Sequence, residues 1–112
     1  MISDDGIYVE KILGLYLSLP ETPARERQDD LRLAHDLYRR KTPVEIVEAA
    51  LLLGSVRRLY RDPSLPRLAP IRSLRYFLPV IEEVTASPLS SDYLFYLRHK
   101  LDAYRAKISL SQ

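Results

Sequence analysis

The sequence contains no cysteine, which excludes disulfides and thiolate metal sites and makes a reducing, cytoplasmic location the simpler expectation. Its three glycines are isolated from one another, so no glycine-rich phosphate loop is present. Tryptophan is absent, and there are only two histidines, His35 and His99. The longest unbroken apolar run, residues 49–53, is far too short to span a bilayer, so no membrane partner is expected. The opening Met1-Ile2-Ser3-Asp4-Asp5 is acidic where a signal peptide would be basic, so the chain reads as soluble and not secreted.

What is present describes one globular unit. With 112 residues, 46% of them hydrophobic and 29% charged, the chain suits a single core, and splitting it would leave two cores too small to hold. Few glycines alongside many Leu, Ala, Glu and Arg favour helices. Net charge is only +2 but is unevenly spread. Residues 1–30 hold seven acids (Asp4, Asp5, Glu10, Glu21, Glu26, Asp29, Asp30) against Lys11, Arg25 and Arg27. Residues 39–75 hold nine bases against Glu45, Glu48 and Asp62, an asymmetry of the kind that marks a surface for nucleic acid or another acidic partner.

Five helices are predicted and no sheet, because no segment sustains apolar and polar alternation. The first covers about residues 7–19 on the stripe Val9, Ile12, Leu13, Tyr16, Leu17, and Pro20 ends it. Thr22-Pro23 reads as an N-cap followed by proline at the first helical position, so the second helix is expected to run from there to about Arg40, burying Leu31, Ala34, Leu37 and Tyr38. Thr42-Pro43-Val44-Glu45 reads as a capping box opening a third helix that continues through Tyr60. Only Glu48 is polar between Ile46 and Leu53, so this helix is expected at the centre of the core. A proline-stiffened connection over residues 62–69 leads to a fourth helix starting near Pro70, with a kink or break at the internal Pro79. Ser90 or Ser91 caps the fifth, whose buried stripe is Leu94, Leu97, Leu101, Tyr104 and Ile108.

Catalytic chemistry finds little support. His35-Asp36 has the look of the doublet in metal-dependent phosphohydrolases, but such a site needs further His and Asp ligands, and the chain has one other histidine. Asp4-Asp5, Asp29-Asp30 and Glu82-Glu83 are neighbours, which point in different directions on a helix. The expectation is a protein that is not an enzyme and needs no metal or cofactor.

The basic stretch carries more information. Six arginines (Arg57, Arg58, Arg61, Arg67, Arg72, Arg75) stand against one acid, Asp62, and the guanidinium fork grips phosphate oxygens at two points. Arg57, Arg58 and Arg61 are spaced to form one helical ridge, and Arg72 and Arg75 another. If the proline connection turns the chain back, the ridges converge on one phosphate-tracking rim. The competing expectation is that these arginines pair with the acidic N-terminal third. Tyr60 and Tyr76 lie beside them and are candidates for base stacking, or for core packing with the hydroxyl at the edge. Tyr93 and Tyr96 are candidates for an oligomer contact.

From Asp36 to Val84 the order of features resembles the helical C-terminal domain of DnaD-type primosomal and phage replication proteins. The match lies in a helix ending in basic residues, a short turn, Pro43-Val44-Glu45-Ile46-Val47-Glu48-Ala49-Ala50, a variable loop, and the aromatic-led Tyr76-Phe77-Leu78-Pro79-Val80-Ile81. That family usually has a tryptophan a turn or two later; Glu83 stands near the matching place here, and Pro79 is a further departure. The resemblance implies DNA binding and contact with replication proteins. The leading expectation is therefore a non-catalytic DNA-binding accessory protein of replication or of a mobile element. The alternative is a helical protein-interaction module or homodimeric adaptor.

Overall fold

A computed structural model describes residues 3–110. It is an all-α bundle of five helices: α1 (Asp4–Leu17), α2 (Gln28–Arg39), α3 (Val44–Leu59), α4 (Leu78–Ala86) and α5 (Ser91–Leu110), with a 3-10 turn, Leu74–Phe77, leading into α4. The described residues contain no strand. The stretch between α3 and the 3-10 turn, residues 60–73, is the longest connection between helices among the described residues.

α3 is the hub, as its composition predicts. It packs against α1, α4, α5 and the 3-10 turn, and every residue from Ala49 to Val56 is buried. The flanking helices give it one face each. α1 contributes Val9, Ile12, Leu13 and Tyr16, α4 contributes Ile81 and Val84, and α5 contributes Leu97 and Leu101, all in one apolar cluster. α2 reaches that cluster through Leu33, Ala34 and Leu37; Tyr38, expected inside, is exposed and lies edge-on to Tyr8.

Several boundaries differ from the sequence expectation, each for a local reason. α1 begins three residues earlier than predicted, because the Ser3 hydroxyl accepts the Gly6 N–H at 3.3 Å and the acids Asp4 and Asp5 suit its first turn. The Thr22 hydroxyl does not cap α2. It donates back to the Leu19 carbonyl at 2.7 Å, closing off the end of α1, and Pro23 lies in the turn that follows. α2 starts instead at Gln28, where Asp30 at the third helical position accepts the Arg27 N–H at 2.8 Å. The expected Thr42 capping box does not form either: Pro43 is the N-cap of α3, with no side-chain hydrogen bond.

Thr42 serves the preceding helix. Its N–H donates to the Leu37 carbonyl and the Lys41 N–H to the Tyr38 carbonyl, at 3.1 and 2.9 Å, a Schellman closure of α2 with Lys41 in the left-handed region at φ 61°. The fourth helix does not start at Pro70. Residues 70–73 are extended or irregular, and Pro79 falls in the first turn of α4, where its missing N–H has no intrahelical role; the break precedes it.

The tightest contact in the core lies where α3 meets the 3-10 turn. A Cβ at Gly54 would stand 2.8 Å from Cδ1 of Phe77, a fully buried ring already held edge-on by Tyr16 and Tyr76. Gly14, on the exposed side of α1, has nothing within 4 Å of the corresponding position. Gly54→Ala is expected to destabilise the fold by about 1–3 kcal/mol through overpacking, despite alanine's better helix propensity. Gly14→Ala is expected to stabilise it by up to about 1 kcal/mol. Urea denaturation midpoints of the two variants check this opposite pair of signs.

Candidate functional site

The arginines that the sequence groups into one rim are divided by the fold into inward and outward sets. Arg58 lies near the end of α3 with its side chain only 4% exposed. Its Nε donates to Glu21 Oε2 at 3.2 Å and its Nη2 to the Ala69 carbonyl at 2.6 Å. Nη1 reaches the Tyr76 hydroxyl at 3.4 Å, and the guanidinium carbon sits 5.4 Å from the centre of that ring. Arg58 was expected to contact phosphate; the fold instead makes it an internal joint between the α1–α2 turn, the connection after α3, and the 3-10 turn. Glu21 holds its place in the left-handed region at φ 65°, and its carbonyl accepts the Ile71 N–H at 3.1 Å.

A second polar joint lies alongside. Asp30 is 1% exposed, and its two oxygens bind chain segments far apart in sequence. Oδ2 accepts the Arg27 N–H and Oδ1 accepts the Leu74 N–H, at 2.8 and 2.9 Å. One carboxylate thus caps α2 and fixes the start of the 3-10 turn, satisfying a buried N–H that no helix would satisfy.

Of the remaining α3 arginines, Arg57 makes a two-point pair with Glu83 of α4, at 3.0 and 2.7 Å. The Arg57 guanidinium holds the Glu83 carboxyl below the usual carboxylate range. The pair's contribution is therefore full above the unfolded carboxyl's range and is lost as pH falls through the folded value. Arg61 donates to the Pro66 carbonyl at 2.6 Å and so braces the connection internally. Arg57, Arg58 and Arg61 consequently do not form the free ridge that their spacing suggests. Arg67, Arg72 and Arg75 are exposed and have no ion-pair or hydrogen-bond partner among the described residues.

The two tyrosines follow the same division. The Tyr60 hydroxyl donates to the Lys100 carbonyl at 2.8 Å while the Lys100 ammonium lies 3.8 Å from its ring centre, so Tyr60 ties α3 to α5. Tyr76 keeps one exposed side but has its hydroxyl and ring turned to Arg58. A cleft of about 440 Å³ opens beside this region, lined among others by Glu21, Arg58, Arg61, Arg67, Leu65 and Tyr104, and it carries both signs of charge.

The most exposed apolar surface is elsewhere, on α5. This helix of 20 residues buries only Leu97 and Leu101. Leu94 and Tyr104 are half-buried, and Ile108, expected on the buried stripe, is exposed. On the side facing away from the core, Phe95 is 65% and Tyr96 51% exposed; Tyr93, four residues before the buried Leu97, is exposed at the edge of the core-facing side. Tyr93 and Tyr96 stack at 5.9 Å, and Phe95 meets the His99 ring edge-on at 4.4 Å. Sequence reading raised Tyr93 and Tyr96 as contacts but passed over Phe95 and His99. The signal was present in Tyr96, His99, Ala103, Ala106 and Leu110, a second apolar stripe with alternating steps of three and four, on the face opposite Leu97 and Leu101.

The His35-Asp36 doublet has no metal-site company. His35 Nδ1 lies 3.7 Å from Asp5, Asp36 pairs with Arg39, and no group of three His, Cys, Asp or Glu side chains able to hold a metal occurs among the described residues. No helix among them is long and apolar enough to cross a membrane. Comparison with protein-family models, curated proteins and solved structures finds no match to this chain.

Arg58→Ala is expected to cost about 2–3 kcal/mol of stability, because it strips a buried charged donor from Glu21 and from the Ala69 carbonyl. Arg72→Ala, at a free and exposed position, is expected to change stability by no more than about 0.5 kcal/mol. Chemical denaturation of both variants separates the internal arginine from the external one.

Proposed function

We propose that this chain is a non-catalytic interaction module that receives a helix of a protein partner on the outer face of α5. The observation that carries the reading is the exposed group Phe95, Tyr96 and His99 on a helix whose opposite side already supplies Leu97 and Leu101 to the core. Large exposed aromatic groups clustered on one rigid helix are what a protein interface requires and what a solvated face does not. The arginines support the same reading by subtraction, since Arg57, Arg58 and Arg61 are engaged inside the fold. A cytoplasmic setting accords with the absence of cysteine.

A photo-crosslinking phenylalanine analogue placed at position 95 tests this in cells. Covalent protein adducts are expected at position 95 and not at Arg32, an exposed control on α2. A chain that gives no adduct at position 95 is not docking through this face.

A second reading, DNA binding in replication or mobile-element biology, is favoured by Arg67, Arg72 and Arg75, which remain exposed and free of carboxylates. It also accords with the likeness to DnaD-type domains noted above. Three phosphate contacts would give a log–log salt slope of about −3 on duplex DNA. Titration of single- and double-stranded DNA at two salt concentrations, with and without Arg67→Ala, Arg72→Ala and Arg75→Ala together, measures it. Affinity that survives the triple change contradicts this second reading.

A further inference from the structure

The occupant of the α5 face can be named from the face itself. We infer that it is the α5 of a second copy of this chain, packed antiparallel; this rests on the docking reading above and goes further by specifying the partner. Three observations converge.

The first is the spacing and size order of the stripe. Tyr96, His99, Ala103, Ala106 and Leu110 are all exposed, and they follow the three-and-four alternation that keeps one seam facing a partner helix crossing at about 20°. Bulky residues fill its N-terminal half and alanines the centre of its C-terminal half. With Leu101 of the two copies level, an antiparallel pair seats Tyr96 over Ala106 of the partner subunit and His99 over Ala103 of the partner subunit. Large side chains then meet small ones at every central layer. A parallel pair would stack Tyr96 on itself and leave a gap between facing alanines.

The second is charge. Antiparallel pairing sets the two helix dipoles in opposition, a favourable arrangement that parallel pairing forgoes. The third is area. Aromatic side chains present about 150–250 Å² each when fully open, so the exposed parts of Phe95, Tyr96, His99 and Leu110 with the two alanines amount to on the order of 500 Å² per chain. Two such faces together reach about 1,000 Å², the least that a specific interface needs when its shapes match well. The face is large enough for a copy of itself, and its two halves complement each other.

Sedimentation analysis of the purified full chain over a range of micromolar concentrations provides the test. The wild type is expected to sediment at twice the chain mass. Ala103→Glu, at an exposed position where glutamate is a good helix former, is expected to weaken the dimer at least about tenfold. Its helicity should be unchanged, and its melting temperature should lose the dependence on chain concentration that the wild type shows. Because the chain has no cysteine, register can be read directly. A Tyr96→Cys chain mixed with an Ala106→Cys chain should form a disulfide-linked pair, and Ala106→Cys alone should not. A wild type that stays monomeric throughout, an Ala103→Glu variant that stays dimeric, or self-linking by Ala106→Cys overturns the inference. A monomeric chain that still gives adducts to other proteins at position 95 refutes self-pairing and leaves the docking reading standing. If those adducts are missing as well, both fail.

Discussion

The architecture depends on a buried guanidinium. Arg58 leaves the central helix, turns inward, and meets a carboxylate, a main-chain carbonyl and a tyrosine hydroxyl from three separate parts of the chain. A buried arginine is tolerable only when its donors are matched, and here the matching groups are also the ones that need positioning. The connection after α3 has no secondary structure for most of its length, and its three prolines carry no N–H to donate. Arg58 at Ala69, Asp30 at Leu74 and the Glu21 carbonyl at Ile71 tie it to the rest of the fold, while Arg61 braces it locally at Pro66. With them, Ile71, Leu74 and Phe77 are delivered to the core, and Phe77 closes against Gly54.

The same joint decides what the surface can do. An arginine drawn inward cannot also hold a phosphate, so part of the chain's basic character is internal structure. Charge counted along a sequence does not distinguish a guanidinium facing water from one facing Glu21. The three arginines that remain free sit on the connection and the 3-10 turn, not on α3. Apolar surface shows the opposite case: α5 carries two stripes, and the bundle uses only one.

What could be read beforehand follows from range. The stripe of α1, a pattern of period 3.6, and the central place of α3, read from its nearly unbroken apolar run, are local features and appear in the structure as the sequence implies. Errors gathered where one residue type serves two ends. Thr22 and Thr42 have the chemistry of an N-cap, yet each closes the preceding helix, because a hydroxyl or an N–H beside a helix C-terminus finds free carbonyls there. Pro79 suits the first turn of a helix as well as it breaks the middle of one. The joints made by Arg58 with Glu21 and by Asp30 with Leu74 span 37 and 44 residues, a separation that leaves no trace in spacing. The outer face of α5 was legible in principle, since Tyr96, His99, Ala103 and Ala106 keep a regular step, but the inner stripe drew the reading first.

Backbone hydrogen exchange at Leu74 and Ile71 probes the pinned connection most directly. Their N–H groups donate to Asp30 and to the Glu21 carbonyl, outside any α-helix. The account predicts protection comparable to the centre of α3, lost at both positions together in Arg58→Ala at temperatures where α3 remains protected. Exchange at the rate of an open loop in the unaltered protein would contradict it.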